Sequence, residues 1–213
     1  MSTHDIHAAI VKAKIVPVIA IESVDSALPL ADALIAGGMP VAEITFRTEA
    51  AAEIMALLKR ERPQLLLGAG TVLTPENAKK AKDCGAVFAV SPGFNPAVVQ
   101  AAQEAGLAFC PGVMTPTDIE GAMQMGCSLL KFFPAGAAGG IQMLKSMAAP
   151  YLHTGVRFIP TGGVNQDNAS DYLAETCVLA VGGTWIAKRD MIAAGDWARI
   201  TRNAEQALAA VNA

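Results

Sequence analysis

The sequence has few charged and few aromatic side chains. Charged residues make up 16% and aromatic residues 5% of its 213 residues, and the formal net charge is −3. Proteins that bind nucleic acid need clustered cations for the backbone and, for unpaired bases, aromatic side chains for stacking. The lysines and arginines here are scattered and form no basic stripe. We therefore expect no nucleic-acid partner.

Long apolar runs are also missing. No run reaches the ~20 apolar residues that a membrane-spanning helix needs. The first residues, Met-Ser-Thr-His-Asp, lack the basic region and the apolar segment of a signal peptide. We therefore expect no membrane partner and a cytoplasmic location.

Cysteine and histidine are sparse and poorly placed for metal binding. The three histidines lie near no carboxylate cluster with zinc-ligand spacing, which predicts no transition-metal site. Magnesium, which needs only carboxylates and water, stays open on this evidence alone. The cysteines form no Cys-x-x-Cys pair and stand mostly among apolar residues, so we interpret them as reduced core thiols: Cys84, Cys110, Cys127 and Cys177.

Hydrophobic residues, in contrast, make up 53% of the chain and recur in short β-rich runs. The eight runs are Ile15–Ala20, Val41–Phe46, Leu65–Gly68, Val87–Val90, Leu107–Cys110, Leu129–Phe132, Arg157–Ile159 and Val178–Val181. Alanine-rich segments with helical periodicity separate them, several with a proline near the first turn. Nearly continuous apolar strands that alternate with helices predict a parallel sheet covered on both faces.

Eight such units predict a (β/α)8 TIM barrel in the α/β class. A doubly wound open sheet is the competing architecture, but the count of eight and the absence of a Gly-x-Gly-x-x-Gly turn after the first run weigh against it. The segment Ile6–Lys14 predicts an extra helix before the first strand. No proline-, glycine- or serine-rich linker divides the chain, so we predict one domain over residues 1–213.

Lys131 is the most informative residue because it lies at the centre of the apolar run Ser-Leu-Leu-Lys-Phe-Phe-Pro. Hydrocarbon on both sides disfavours a charged ammonium and favours the free amine, which can attack a carbonyl carbon. An amine nucleophile at a strand end indicates Schiff-base chemistry. The alternative is an edge lysine whose ammonium reaches solvent.

Glu43 is the second candidate. By the period of two, Val41, Glu43, Thr45 and Arg47 share one face of their strand, which predicts that Glu43 points into the barrel. A glutamate there is costly without a partner or a chemical role, and Lys131 is the partner that the register offers. A purely structural ion pair is the alternative.

Other polar residues gather at the predicted carboxyl ends of the strands, where barrels carry their chemistry. Arg47 and Thr71 combine a guanidinium with a hydroxyl and could hold a small carboxylate. Two glycine clusters follow the last two runs and predict an anion site, although glycine in a βα turn is often only turn geometry: Thr161-Gly162-Gly163 and Gly182-Gly183-Thr184. We interpret Ser91-Pro92-Gly93, after the fourth run, first as a shaped turn.

Taken together, these residues resemble the class I pyruvate-dependent aldolases of the KDPG (2-dehydro-3-deoxy-6-phosphogluconate) and KHG (4-hydroxy-2-oxoglutarate) aldolase family. The resemblance spans nearly the whole chain. It rests on Val16-Pro17-Val18-Ile19, Glu43-Ile44-Thr45-Phe46-Arg47-Thr48-Glu49, Gly68-Ala69-Gly70-Thr71-Val72-Leu73, Ser91-Pro92-Gly93, Lys131-Phe132-Phe133-Pro134-Ala135, Pro160-Thr161-Gly162-Gly163 and Gly182-Gly183-Thr184-Trp185.

The resemblance implies cleavage of 2-dehydro-3-deoxy-6-phospho-D-gluconate to pyruvate and D-glyceraldehyde 3-phosphate in the Entner–Doudoroff pathway. It implies that Lys131 forms the Schiff base and that Glu43 is the general acid/base. It further implies a set of substrate-binding residues: Arg47 and Thr71 for the pyruvate carboxylate, Phe133 beside the imine, Thr161, Gly162, Gly163, Gly182, Gly183 and Thr184 for the phosphate, and Pro92 as a further contact. A homotrimer that needs no cofactor and no metal completes the expectation.

The exact substrate stays open on this resemblance. Phosphogalactonate aldolases tend to have Pro-Leu-Asn-Ser after the glutamate, whereas this chain has Thr45-Phe46-Arg47-Thr48, which favours the gluconate-derived epimer. Family members also often accept 4-hydroxy-2-oxoglutarate. Three more distant alternatives are a sugar-phosphate isomerase or epimerase with Glu43 as its base, a catalytically silent sugar-phosphate binder and a metal-dependent aldolase.

Overall fold

The computed structural model describes residues 3–212, so Met1, Ser2 and Ala213 lie outside the described residues. Its strands are β1 (Ile15–Ile19), β2 (Val41–Thr45), β3 (Leu66–Gly70), β4 (Phe88–Val90), β5 (Ala108–Cys110), β6 (Gly112–Val113), β7 (Leu129–Phe132), β8 (Arg157–Pro160) and β9 (Val181–Gly183). Its helices are α1 (Thr3–Ala13), α2 (Ala27–Ala36), α3 (Ala51–Glu61), α4 (Pro75–Asp83), α5 (Pro96–Glu104), α6 (Pro116–Gln124), α7 (Gly140–Ala148), α8 (Ala169–Leu173), α9 (Arg189–Ala193) and α10 (Trp197–Asn212). Two 3₁₀ segments, Val24–Ser26 and Ala149–Thr154, precede α2 and follow α7.

The strands pair in parallel throughout the described chain and curl into a half-barrel. One sheet has the order β5-β4-β3-β2-β1-β9, and the other has the order β6-β7-β8. Single parallel bridges join Phe158 to Val178 and Thr161 to Gly182 between the ends of the two sheets. Parallel neighbours direct their carboxyl ends to the same side, so the ends of β2, β3, β7 and β8 can meet there.

Most predicted strand limits differ from the structure by one residue, and three differences are larger. The third strand runs on to Gly70, two residues beyond the predicted end. The last strand begins at Val181 rather than Val178, so Gly182 and Gly183 lie within it instead of following it. A ninth strand, β6, directly follows β5 because Pro111 has no N–H to continue the ladder, although its carbonyl accepts a bond from the Lys131 N–H at 2.9 Å.

The predicted helices form, and three of them begin at capped prolines. The side chains of Thr74, Asn95 and Thr115 accept hydrogen bonds from the first turns of α4, α5 and α6, and each of these residues precedes a proline at the first helical position. Thr115 also forms a capping box with Asp118. Proline costs nothing at that position because its missing N–H would have no helical partner there. The cap residues therefore fix where each helix begins after its strand.

The buried side chains of strands and helices form one hydrophobic cluster that extends from Ile6 in α1 to Ala207 in α10. Cys110, Cys127 and Cys177 are buried in the described structure and all four cysteines are free, while Cys84 is only partly buried. Within residues 3–212, no helix is both long enough and apolar enough to cross a membrane.

Candidate active site

Lys131 and Glu43 face each other from strands of different sheets. Lys131 lies on β7 and Glu43 on β2, and the distance from Lys131 Nζ to Glu43 Oε1 is 3.6 Å. Both residues are buried, with 6% and 3% of their surface exposed. The inward orientation predicted from the two-residue period of each strand is thus present in the structure.

The Lys131–Glu43 pair is shielded from solvent, and its hydrogen-bonding capacity is only partly used. Among the described residues, Glu43 Oε1 has no hydrogen-bond partner. The Lys131 ammonium stands 5.5 Å from the ring centroid of Phe133, a distance at which an aromatic face stabilises a cation. A buried carboxylate oxygen without a hydrogen bond is costly, and an amine held beside it can exchange a proton with it directly or through one water.

Arg47 is connected to β1 by two successive hydrogen bonds through Thr45. Its Nε donates to Thr45 Oγ1 at 3.2 Å, and Thr45 Oγ1 donates in turn to the carbonyl of Ile19 on β1 at 2.9 Å. Thr45 is fully enclosed, with 1% of its surface exposed. These two hydrogen bonds hold Arg47 at the end of β2, where it lines the same cavity as Glu43.

Thr71, at the end of β3, has a backbone conformation that its residue type rarely adopts. Its φ is 56°, in the left-handed region. A β-branched side chain there is strained, and strain of this kind costs about 1–3 kcal/mol. The strained backbone places Thr71 against the same cavity as Lys131 and Glu43.

A cavity of about 220 Å³ opens over the Lys131–Glu43 pair. All the catalytic and substrate-binding residues predicted from the sequence line this cavity except Gly182. Its lining is Val18, Glu43, Arg47, Thr71, Pro92, Lys131, Phe133, Thr161, Gly162, Gly163, Val164, Gly183 and Thr184. Sequence reasoning did not single out Val18 and Val164, since an apolar residue in a strand or turn carries no chemical signal. Val18 pairs in register with Glu43 on the neighbouring strand, so the β1–β2 register, once known, places Val18 at the site.

The two glycine clusters meet at the far side of this cavity. Gly162 and Gly163 have φ values of 86° and 83°. A residue with a side chain would be strained in this conformation. Gly182 faces the neighbouring strand instead of the cavity, because a Cβ on it would overlap Thr161 Oγ1. Gly162, Gly163, Gly183 and Thr184 line the cavity, whereas Gly182 is not among its lining residues, and the anion site stays a prediction.

A second nucleophile, the thiol of Cys110, lies close enough to Lys131 for the two charges to interact. Burial raises the pKa of the Cys110 thiol far above its ordinary value, and the nearby Lys131 cation offsets this only in part. Since the thiolate is the reactive form, this cysteine is inert at neutral pH. Lys131 is therefore the candidate nucleophile of the site.

A larger cavity, of about 450 Å³, lies at the opposite, amino ends of β2 and β3. Its lining is mostly apolar and its charged members are Lys12 and Lys59. It brings no acid or buried nucleophile together with a cation, so the smaller cavity is the candidate active site. Among residues 3–212, no group of three or more histidine, cysteine, aspartate or glutamate residues could hold a metal ion.

A buried amine beside a carboxylate, in a cavity that also holds an arginine and two glycine clusters at the carboxyl ends of parallel strands, is the arrangement that a Schiff-base enzyme of the aldolase class needs. A family model described as KDPG and KHG aldolase matches residues 6–203. The chain belongs to the KDPG and KHG aldolase family.

Individual relatives agree with this membership. The chain is similar to the 2-dehydro-3-deoxy-phosphogluconate aldolase of Treponema pallidum, with 46% identity over 200 residues and 94% of each chain covered. It is also similar to the protein of the same name from Haemophilus influenzae, with 47% identity over 189 residues, 89% of this chain and 88% of that one. A crystal structure of KDPG aldolase from Legionella pneumophila, in which pyruvate was captured as a covalent carbinolamine intermediate, superposes with a TM-score of 0.90 at 39% identity and covers 96% of this chain and 97% of that one.

Proposed function

We propose that this chain is a class I aldolase that cleaves 2-dehydro-3-deoxy-6-phospho-D-gluconate to pyruvate and D-glyceraldehyde 3-phosphate. The observation that carries the proposal is the 3.6 Å approach of Lys131 Nζ to Glu43 Oε1, both buried beneath the cavity. An isomerase with Glu43 as its base would need no buried amine at this position. The names of the similar proteins give the same activity.

The first half of the reaction forms the imine. The free amine of Lys131 attacks the C2 ketone carbon of the substrate and gives a carbinolamine. Glu43 starts protonated: it gives its proton to the C2 oxygen, takes the proton that the nitrogen loses and passes that one to the departing hydroxyl, which leaves as water. The product is a cationic imine that joins Lys131 Nζ to C2, with Phe133 packed beside it.

The second half breaks the C3–C4 bond. Glu43, now a carboxylate, removes the proton of the C4 hydroxyl. The C3–C4 electron pair moves into the imine, which leaves an enamine on Lys131 and releases the C4 carbonyl as glyceraldehyde 3-phosphate. Protonation of C3 and addition of water to the imine then release pyruvate and restore the amine. One carboxylate serves each step because every proton that it accepts is returned later.

The ends of the substrate define the remaining roles. Arg47, anchored through Thr45, and the hydroxyl of Thr71 bind the pyruvate carboxylate as a charge-assisted pair. Pro92 and Phe133 form the apolar side of the cavity. Thr161, Gly162, Gly163, Gly183 and Thr184 bind the phosphate with hydroxyl and backbone N–H donors, and Gly182 acts behind them by allowing the close approach of Thr161.

The purified protein should release pyruvate from the gluconate-derived phosphosugar acid faster than from its galactonate-derived C4 epimer. The reason is the segment Thr45-Phe46-Arg47-Thr48, since phosphogalactonate aldolases tend to have Pro-Leu-Asn-Ser at these positions. A coupled assay of pyruvate release with both epimers, with and without a chelator, measures this preference, and 4-hydroxy-2-oxoglutarate is the third substrate to compare. Chelation should leave the rates unchanged, because the reaction uses an imine as its electron sink.

Absence of pyruvate release from all three substrates would contradict the proposed activity. Equal rates with the two epimers would contradict only the preference. Loss of activity on chelation would favour a metal-dependent aldolase instead.

We also propose that the strands close into a complete (β/α)8 barrel of one domain, with α1 as an additional helix at the amino end. The bridges Phe158 to Val178 and Thr161 to Gly182 support closure between β8 and β9, and the succession of β5 and β6 across Pro111 supports closure on the other side. The free cysteines support a reducing compartment, and hence the cytoplasm.

We propose a homotrimer, with its subunit contacts near the carboxyl ends of the strands. Leu73, after β3, and Met114, after β6, are 52% and 43% exposed at that end, and apolar surface of this kind favours association. Sedimentation equilibrium should give three times the mass of the chain. Leu73→Asp should lower that mass, whereas Leu152→Asp, at a site of similar exposure (42%) before β8, should not. A wild-type monomer at micromolar concentration would contradict the proposal.

A further inference from the structure

The inner face of β3 carries two glycines, Gly68 and Gly70, separated by the buried Ala69. Successive side chains of a strand alternate between its faces, so both glycines leave gaps on the same face. Their gaps are filled from neighbouring strands. A Cβ on Gly68 would overlap the ring of Phe88, and a Cβ on Gly70 would overlap the carboxylate of Glu43.

The gap at Gly70 determines where the Glu43 carboxylate lies. In the β2–β3 register, Glu43 stands opposite Gly68, and Thr45 stands opposite Gly70. The Glu43 side chain nevertheless ends over Gly70, one step closer to the carboxyl ends of the strands. This direction of the Glu43 side chain brings its carboxylate toward the cavity. Only a residue without a side chain at position 70 leaves room for the carboxylate there.

The atom nearest to this gap is the one that faces the lysine. Glu43 Oε1 would overlap the added Cβ, and Glu43 Cδ and Cγ would lie only 2.7 and 2.8 Å from it. The same Oε1 is 3.6 Å from Lys131 Nζ and has no hydrogen-bond partner among the described residues. The missing side chain of Gly70 therefore leaves the space that this oxygen occupies.

We infer that Gly70 is a positioning residue for the acid/base carboxylate, an inference that rests on the proposed aldolase function. A methyl group at this position pushes against the flexible end of Glu43 rather than against backbone. The side chain of Glu43 then rotates away while the β2–β3 ladder persists. The protein folds with its nucleophile in place and its base displaced.

The test is Gly70→Ala, measured for turnover and for trapping of pyruvate on Lys131 by borohydride. We expect kcat to fall by about 10²–10³-fold, within the range for loss of general acid/base catalysis, with KM changed by less than about 3-fold and the adduct still formed on Lys131. Gly93→Ala is the matched control, because a Cβ on this exposed glycine would have nothing within 4 Å. It should leave kcat and KM unchanged.

A double-mutant cycle with Glu43→Ala separates positioning from a general effect on the strand. Gly70→Ala should lower the urea midpoint in the wild-type background. In the Glu43→Ala background, where no carboxylate opposes the methyl group, it should leave the midpoint unchanged or raise it, since alanine restricts the unfolded chain more than glycine does. An equal loss in both backgrounds, or wild-type turnover in Gly70→Ala, would overturn the inference. Because the urea cycle does not depend on activity, it still reports on Gly70 if the wild-type protein proves not to be an aldolase.

Discussion

Lys131→Met should abolish both pyruvate release and the borohydride-stable pyruvate adduct. Removal of a covalent nucleophile typically lowers kcat on the order of 10⁴–10⁶-fold, because the remaining groups cannot provide the missing bond. In the wild-type protein, borohydride with pyruvate should reduce the imine to a secondary amine, and peptide mapping should locate it on Lys131. The mass of the trapped peptide and the initial rate of pyruvate release are the two measurements.

The matched control is Lys145→Met, which removes a lysine that also has an ion-pair partner but lies half exposed on α7, with Nζ 2.9 Å from Glu175 Oε1. This variant should keep both the adduct and the turnover. An adduct on a lysine other than Lys131, or turnover that survives in Lys131→Met, would contradict the Schiff-base mechanism.

Lys131→Met should also weaken the fold, since it leaves Glu43 buried without its cation. Breaking a buried ion pair from one side costs about 3–5 kcal/mol. The variant Lys131→Met/Glu43→Gln removes the remaining charge and should recover much of the lost free energy of unfolding while remaining inactive. Recovery of stability without activity shows that the loss of turnover in Lys131→Met does not come from unfolding.

Glu43→Gln should separate imine formation from bond cleavage. The amide has nearly the same size as the carboxylate, so Lys131 and the cavity keep their places, but it cannot accept the C4 hydroxyl proton. We expect turnover to fall about 10²–10⁴-fold, the usual contribution of general acid/base catalysis. Pyruvate trapping on Lys131 should persist in part, because the amine itself is intact. Single-turnover cleavage and the rate of borohydride trapping measure the two steps separately.

Glu49→Gln is the control for the loss of one negative charge, because Glu49 follows the same strand and is exposed. It should affect neither step. Unchanged turnover in Glu43→Gln would remove Glu43 from the mechanism. Complete loss of trapping together with turnover would mean that nucleophile and base cannot act separately.

The alternation of strands and helices was accessible from the sequence because apolar runs and capped prolines are local signals. The positions where strands begin and end were harder to predict from the sequence. The break at Pro111 and the late start of β9 depend on which N–H groups find partners on a neighbouring strand, and no local pattern records this. The parallel pairing itself is confirmed, since nearly continuous apolar strands require cover on both faces.

The Lys131–Glu43 pair was also accessible, because the two-residue period orients a side chain once its strand is known. The lean of Glu43 over Gly70 was not, since strand register alone places Glu43 opposite Gly68. The backbone of Thr71 could not be predicted either. A β-branched residue argues against the left-handed conformation that it adopts here.

The strained backbone of Thr71 has a consequence for evolution. Selection for heat resistance alone would replace Thr71 with glycine or asparagine, which adopt a positive φ more readily. Either replacement gives up the threonine hydroxyl at the cavity wall. On the role proposed for Thr71, its φ of 56° means that stability is given up for a substrate contact at this turn. A laboratory lineage selected only for thermostability would be expected to lose this residue early.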